Sequence, residues 1–332
     1  MKSGALSLNV LGTKSLVVAL SATCGTDSIA CITAHANLAV EQAGFCFGES
    51  CHGPATKSPY LIATSTIGYV QVRPCPALAM KVIRLPAIHH DGNAVLVSGQ
   101  LGHILVDAGT SWYQSLQVER IRGQINDASI DRILLTSRRF PVSGGALHIA
   151  QAFGDVPIHI HCDGQSAMET GDFFTTWASR FDSDMPQTPT VEVEENEIIP
   201  LGDGELQAIA LPGHSPDGLG YHIPHLSTLI GGTLLPRADR PTRWDLPGGS
   251  LLDIVASFQT MKRMNLKSIV PLQGPAIRGQ EHIQEVLSRH LDFFLEAVNN
   301  DGQPPTSWHR PAATALWLTP LAPWPLKEQE SV

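Results

Sequence analysis

From residue 80 onward, short apolar runs alternate with amphipathic segments. MKVIRLPAI opens this pattern, and NAVLVSG and HILVDAG follow as two apolar stretches joined by a turn that contains glycine. Apolar runs of this length, separated by such a turn, predict a β-hairpin. The next segment, SWYQSLQVERIRGQI, predicts a helix with Trp112, Leu116, Val118 and Ile121 roughly on one apolar face.

The rest of this region repeats the succession of strands and helices. Further strands are expected at DRILLT, VPIHIHC, ELQAIALP, GLGYHIP, STLIGG and SIVPL. Helices are expected at GGALHIAQAFG, GQSAMETGDFFTTWASRF, SLLDIVASFQTMKRM and EHIQEVLSRHLDFFLEAV. Strand pairs that alternate with helices twice over predict an α/β fold. In this fold, an αββα sandwich, two mixed β-sheets pack on each other and are flanked by helices.

Composition divides the 332-residue chain into three parts. Residues 1–79 have few charges, no sustained period and five of the six cysteines, which predicts a disordered extension or an over-long translated start. Residues 80–300 form the patterned domain, and residues 301–332 form a tail rich in proline and tryptophan. Hydrophobic residues make up 43% of the chain, which is enough for a sizeable core.

Charge and hydropathy exclude some classes of protein. The net charge of −9 argues against a general nucleic-acid binder, which carries a basic stripe. No apolar run reaches the roughly 18 residues of a membrane helix. Cysteine is scarce after residue 79, which indicates a cytoplasmic protein without a disulfide framework. Secretion is the alternative, because SLVVALSATC within residues 1–24 has the character of a signal peptide.

Five segments carry a more specific signal: NAVLVSGQLGHILVDAGTS, ILLTSRRFPVSGGA, LPGHSPDGLGYHI, LIGGTLL and IVPLQGPAI. In order and separation they resemble the conserved segments of the metallo-β-lactamase superfamily, which includes glyoxalase II-like hydrolases. The resemblance implies the αββα fold over residues 80–300, with Asp107 as a structural aspartate. In active members these segments hold two metal ions that activate a bridging water.

Most ligand positions of that family are changed in this chain. Aligned with the family pattern T-H-x-H-x-D-H and the later ligand segments, the changed positions are Ser137, Arg139, Pro141, Val142, Gly232 and Gln273. Only His214 stands where the family has a ligand. Proline and valine offer no donor atom, and arginine is a permanent cation. The family implies zinc, but we expect no metal cofactor here because one imidazole cannot hold zinc tightly.

Two non-catalytic functions follow from this loss. The first is a scaffold, with an intact homologue or another protein bound through the tail. The second is binding of a small anion by Arg138 and Arg139, with Ser143 capping the following helix. His214 and Gln273 would add hydrogen bonds to that anion from neighbouring loops.

The alternative function is hydrolysis of an ester, thioester, lactone or phosphoester bond, with a rebuilt metal site or without metal. Without metal, Ser137 or Ser143 would be the nucleophile, His214 the base and Asp217 its partner. Serine, histidine and aspartate are common in loops, so their presence here does not by itself identify a catalytic residue. The sequence therefore predicts a degenerate metal site in a pseudoenzyme, and leaves the hydrolase as the alternative.

Other metal-ligating residue types lie outside these segments. His159 and His161 alternate on one predicted strand, and Cys162 follows them. Half-buried strand histidines with satisfied nitrogens are the simpler interpretation, although a ligand site is the alternative. In the extension, Cys46, Cys51 and His52 have a wider spacing than a zinc knuckle, so free cysteines are expected there.

Overall fold

A computed structural model describes residues 80–303 and the backbone of four earlier strands. Those strands form two antiparallel hairpins, β1 (Leu16–Ala19) with β2 (Cys31–Ala34) and β3 (Ala63–Ser65) with β4 (Gly68–Val70). The chain divides into two compact units, Met1–Ala77 and Leu78–Val332. The hypotheses on a signal peptide, on the Cys46, Cys51 and His52 side chains and on the tail lie outside the described residues.

Six strands form the first sheet, in the order β10-β9-β8-β7-β6-β5. They are β5 (Lys81–Leu85), β6 (Ala94–Gly99), β7 (Gly102–Val106), β8 (Arg132–Leu134), β9 (Ile158–Ile160) and β10 (Val191–Glu192). The predicted hairpin is confirmed as β6 and β7, whose ends meet at Gly99 and Gly102. Strands β7 to β10 are parallel, so the loops that follow them meet at one edge of the sheet.

The second sheet also has six strands, in the order β11-β12-β13-β14-β15-β16. They are β11 (Ile198–Pro200), β12 (Glu205–Ala210), β13 (Leu219–Ile223), β14 (Thr228–Ile230), β15 (Ser268–Val270) and β16 (Ile277–Arg278). Only β14 and β15 pair in parallel. The edge strands β11 and β16 were not predicted, because two or three residues are too few to show a period.

Six α-helices accompany the sheets within residues 80–303. They are α1 (Gln114–Ile125), α2 (Phe140–Ser143), α3 (Ala146–Ala152), α4 (Cys162–Thr170), α5 (Leu251–Arg263) and α6 (Gln280–Asn299). Helix α5 begins where the Ser250 hydroxyl accepts the N–H of Asp253, a side-chain cap. No helix in this part of the chain combines the length and the apolar character needed to cross a bilayer.

Three apolar clusters make the architecture layered. The first lies between the two sheets and includes Val97 and Val106 from one, Tyr221 and Ile230 from the other. The second joins the first sheet to α1 and α3, and the third joins the second sheet to α5 and α6. Burial of both faces of both sheets gives the αββα sandwich that the sequence predicted.

The prediction of one long helix over residues 164–181 is wrong. Helix α4 ends at Thr170, because Gly171 takes a left-handed conformation (φ 64°) and its N–H bonds to carbonyls of the last turn. A separate 3-10 turn, Ala178–Phe181, follows. The turn buries Ala178 and Phe181, whereas Phe173 and Phe174 are more than half exposed, so the apolar residues of this segment do not mark one face of a continuous helix.

The predicted apolar face of the first helix is also partly wrong. Trp112 and Leu116 are each 44% exposed, whereas Val118 and Ile121 are buried. Trp112 lies before α1, in the 3-10 turn Ser111–Tyr113, so the helical period does not extend to it.

Candidate functional site

A buried carboxylate positions residues 137–142, which contain four of the changed family positions and are called the motif loop below. Asp107 follows β7, and its carboxylate accepts the backbone N–H and the hydroxyl of Thr136, both at 2.8 Å. Its own N–H donates to Leu134 in β8. Burial raises the pKa of Asp107 to about 7. The ends of β7 and β8 are therefore braced together, and residues 137–142 leave from a fixed point.

Ser143 closes the short helix that follows this point. Its hydroxyl donates to the carbonyls of Arg138 and Arg139, at 2.8 and 3.0 Å. The expectation that Ser143 caps the next helix is wrong, because Ser143 belongs to α2 and Gly145 occupies the cap position of α3. Ser143 therefore stabilises the motif loop internally.

Arg139, which the resemblance places at the position of the second family histidine, is buried and holds several loops together. Its guanidinium donates to three carbonyl oxygens from three separate loops: Thr175 at 2.5 Å, His214 at 2.9 Å and Pro247 at 3.0 Å. Burial lowers its pKa to about 10, and the charge of Asp217 opposes that decrease. Arg139 is thus a cation at neutral pH, and it links the loops around the motif.

Arg138 is paired with a carboxylate. The buried Asp217 accepts the backbone N–H of Arg138 at 2.5 Å, and the Arg138 Nε lies 3.7 Å from its other oxygen. The Arg138 Nη1 donates to the carbonyl of Asp163 at 3.0 Å. Protein groups thus compensate the second positive charge of the motif loop.

His214 is buried and neutral. Its Nδ1 lies 3.1 Å from both the Arg243 carbonyl and the Thr242 hydroxyl. Thr242 donates its own proton to Thr233, so His214 Nδ1 carries the proton and acts as donor. Burial, and then the charge of Arg139, hold the pKa of His214 well below its usual value. Its Nε2 is buried and makes no hydrogen bond within residues 80–303.

The structure does not assemble the candidate nucleophile and base. The Ser137 hydroxyl pairs with that of Ser215 at 2.9 Å, and Ser143 donates to backbone carbonyls. Asp217 accepts from Arg138, and His214 donates elsewhere. Each member therefore has a different partner from the one that a catalytic triad requires.

The other family ligand positions have packing roles. Gln273 donates from Nε2 to the carbonyls of His89 and Asp91, at 2.9 and 3.0 Å. Val142 is buried against Leu272. Gly232 has φ 54°, and a Cβ there would lie 2.6 Å from the Cβ of Thr136, so an aspartate does not fit without a shift.

These residues do not fit a dinuclear metal centre. Among the seven family positions, His214 Nε2 is the one imidazole nitrogen without a hydrogen bond that could bind a metal. The cationic Arg139 lies against the carbonyl of that same residue and opposes positive charge nearby.

Sequence reasoning missed most partners of these side chains. The carbonyls of Thr175 and Pro247 hold Arg139, but every residue supplies a carbonyl, so no letter marks them. Ser215 follows His214 directly, and its contact with Ser137 spans two loops that are remote in sequence. Asp217 was a usable signal in the sequence, because an acidic residue in a neighbouring loop is a natural partner for Arg138 or Arg139.

Residues 89–274 match the family model described as the metallo-beta-lactamase superfamily. An uncharacterized protein of Aquifex aeolicus is 27% identical over 156 residues, which are 47% of this chain and 70% of that protein. A probable metallo-hydrolase of Methanocaldococcus jannaschii is 26% identical over 201 residues, which are 58% of this chain and 92% of that protein.

A solved structure has the same architecture. The crystal structure of TTHA1623 in a di-iron-bound form superposes with a TM-score of 0.52 and 25% identity, over 61% of this chain and 96% of that one. The family match spans more than half of the 332 residues, and the two stacked sheets agree with it. The chain therefore belongs to the metallo-β-lactamase superfamily.

Proposed function

We propose that this protein is a non-catalytic member of its superfamily, in which a buried arginine network has replaced the family metal centre and the domain serves as a binding scaffold. The observation that carries the proposal is the Arg139 guanidinium, held by three carbonyl oxygens at a family ligand position. A buried cation with fixed partners stabilises one arrangement of the loops. It provides neither a metal ligand nor a nucleophile.

The contacts favour a scaffold over an anion-binding pocket. Arg139 donates to carbonyls and Arg138 is paired with Asp217, so both cations already have partners within the protein. Gln273 uses its amide protons on backbone carbonyls. Binding of a small anion remains a second non-catalytic proposal, and stabilisation of the folded protein by inorganic phosphate in a thermal melt would support it.

Hydrolysis is the alternative that two observations favour. The M. jannaschii relative is described as a probable metallo-hydrolase, and His214 keeps a bare Nε2 beside a donor Nδ1, as a metal-ligating histidine does. A single histidine nitrogen beside the positive charge of Arg139 is too weak a ligand set for a hydrolytic metal centre. The hydrolase is therefore the weaker proposal.

Metal analysis and activity assays test the choice. We expect full-length protein purified without chelator to contain no ion whose retention depends on His214. We also expect hydrolysis of ester, thioester, lactone and phosphodiester substrates to be no faster than by the His214→Ala variant. Two ions per chain that are lost in His214→Ala, or turnover that this variant abolishes, would overturn the proposal.

The scaffold needs a partner, and an intact member of the superfamily is the one we propose, bound through residues 301–332. Co-purification of the two full-length proteins, compared with a chain that ends at residue 300, measures this. Retention of the partner by the shortened chain would contradict the role given to the tail.

A further inference from the structure

Three metal-ligating side chains converge where β9 ends and α4 begins. His161 Nδ1 lies 3.8 Å from the Sγ of Cys162 and 3.6 Å from a carboxylate oxygen of Asp163. One ligand atom from each residue lies within 4.8 Å of the others. Cys162 and Asp163 are exposed, while His161 is half-buried, so an ion from solvent can reach the cluster.

These distances approach those required by one tetrahedral ion. Metal–nitrogen bonds of about 2.0 Å and metal–sulfur bonds of about 2.3 Å separate a nitrogen and a sulfur ligand by roughly 3.6 Å, and nitrogen and oxygen ligands by roughly 3.4 Å. The two distances from His161 Nδ1 exceed these values by a few tenths of an ångström, and the three ligand atoms together lie within 4.8 Å of one another. Rotation of the exposed side chains closes that difference.

The imidazole is already oriented for this role. The Asp163 N–H donates to His161 Nδ1 at 3.3 Å, so the lone pair of Nδ1 points to the start of α4, and an ion bound there would displace this long hydrogen bond. In the neutral ring Nε2 then carries the proton, and it lies 3.9 Å from the carboxylate of Glu195. A ligating histidine ordinarily donates its second nitrogen to a carboxylate, and rotation of the exposed Glu195 side chain would shorten the 3.9 Å separation to hydrogen-bond distance.

The position of Glu195 is supported by the sheet. Strand β10 pairs with β9, and the Val193 N–H donates to the Ile160 carbonyl at 2.9 Å, directly before His161. The segment that carries the orienting carboxylate is thereby attached to the strand that carries the histidine. Residues from two segments contribute, so the arrangement is more than a property of one helix end.

We propose that His161 Nδ1, Cys162 Sγ and the Asp163 carboxylate bind one zinc-type divalent ion, with Glu195 orienting the imidazole and the fourth position open to solvent. A nitrogen, sulfur and oxygen donor set selects transition metals over Mg²⁺ and Ca²⁺. The Cys162 thiol releases its proton to solvent as the metal–sulfur bond forms. This site is separate from the seven family ligand positions and goes beyond the proposed scaffold function.

Titration of the full-length protein with Co²⁺ tests the site, because a cobalt–thiolate bond gives a charge-transfer absorption band. We expect one equivalent to saturate the band, and Cys162→Ser to abolish it. His161→Gln should weaken binding at least tenfold, and Glu195→Gln by about 10-fold or more. His159→Gln, two residues earlier on the same strand, is the matched control and should leave the Kd unchanged.

A second variant separates this thiol from the others. The five cysteines of residues 1–79 are all changed to serine, and the band should persist with the same Kd. A band that survives Cys162→Ser, disappears with the five-fold variant, or fails to form in the wild type overturns the proposal. An ion retained in His214→Ala but lost in Cys162→Ser assigns bound metal to this cluster and leaves the scaffold proposal intact.

Discussion

At the scale of single residues, the positions predicted to be family ligands hold side chains whose hydrogen bonds go to protein groups. Arg139 contacts three carbonyl oxygens and Gln273 contacts two. A metal pair holds loops together through ligands, and these side chains do so through hydrogen bonds. Their replacement is therefore expected to appear first as lost stability.

Arg139→Lys tests this idea. One ammonium on a flexible chain cannot span acceptors in three loops as a planar guanidinium does, and carbonyls left without donors are costly when buried. We expect the free energy of unfolding to fall by about 2–4 kcal/mol in urea denaturation. Arg122→Lys, whose guanidinium donates to Ala152 at an exposed position, is the control and should change it by less than about 0.5 kcal/mol. Equal losses in both variants would show that Arg139 has no special role.

At the scale of elements, buried carboxylates brace the ends of strands. Asp107 joins β7 to β8, and Asp91 similarly accepts the N–H and hydroxyl of Thr110 after β7. Burial raises the pKa of Asp91 to about 6 and that of Asp107 to about 7. Both acids are thus bound to protons more readily in the folded protein than in the unfolded chain.

Asp107→Asn should therefore change how stability depends on pH. Because the folded pKa lies above the unfolded one, the contribution of Asp107 to stability is fully present below about pH 4 and is lost as pH rises through about 7. Asparagine keeps an acceptor for Thr136, tolerates φ 61° and does not titrate. Relative to wild type, we expect the variant to gain a few kcal/mol between about pH 4 and about pH 8. Parallel stability curves, measured by urea denaturation across this range, would contradict the assignment.

At the scale of the whole molecule, polar bonds cross between the sheets beside the apolar core. The hydroxyl of Tyr221 in β13 donates to the Leu135 carbonyl beyond β8 at 3.0 Å, and the Leu219 N–H donates to Thr136 at 2.9 Å. These bonds fix how the second sheet, with the His214 loop, faces the motif loop of the first. The position of one sheet relative to the other therefore sets the geometry of the site.

Tyr221→Phe measures one of these bonds. The substitution removes the hydroxyl and leaves a buried carbonyl without its donor, so we expect the protein to lose about 1–2 kcal/mol of stability. Tyr113→Phe, at a half-buried position in the 3-10 turn before α1, is the matched control and should lose less than about 0.5 kcal/mol. A thermal or urea melt that ranks the two variants the other way would show that the inter-sheet bond is unimportant.

Long periodic segments were predictable, because the spacing of apolar residues within each segment shows which face it buries. The β6–β7 hairpin and helices α5 and α6 are examples. Local turns were less so: Gly171 ends α4 inside an apolar segment, and Ser143 closes its own short helix instead of capping the next. In both places a backbone conformation, which the sequence encodes only weakly, decides where the element stops.

By itself, the sequence determined the two-sheet architecture and predicted the loss of family ligands, since period and residue type are local properties of the chain. Only the tertiary structure decided what the replacements do. It brings the carbonyls of Thr175, His214 and Pro247 around Arg139, and places Glu195 beside His161. Those partners are far apart in sequence and several are backbone atoms, so packing of the sheets, not the identity of any residue, creates the contacts.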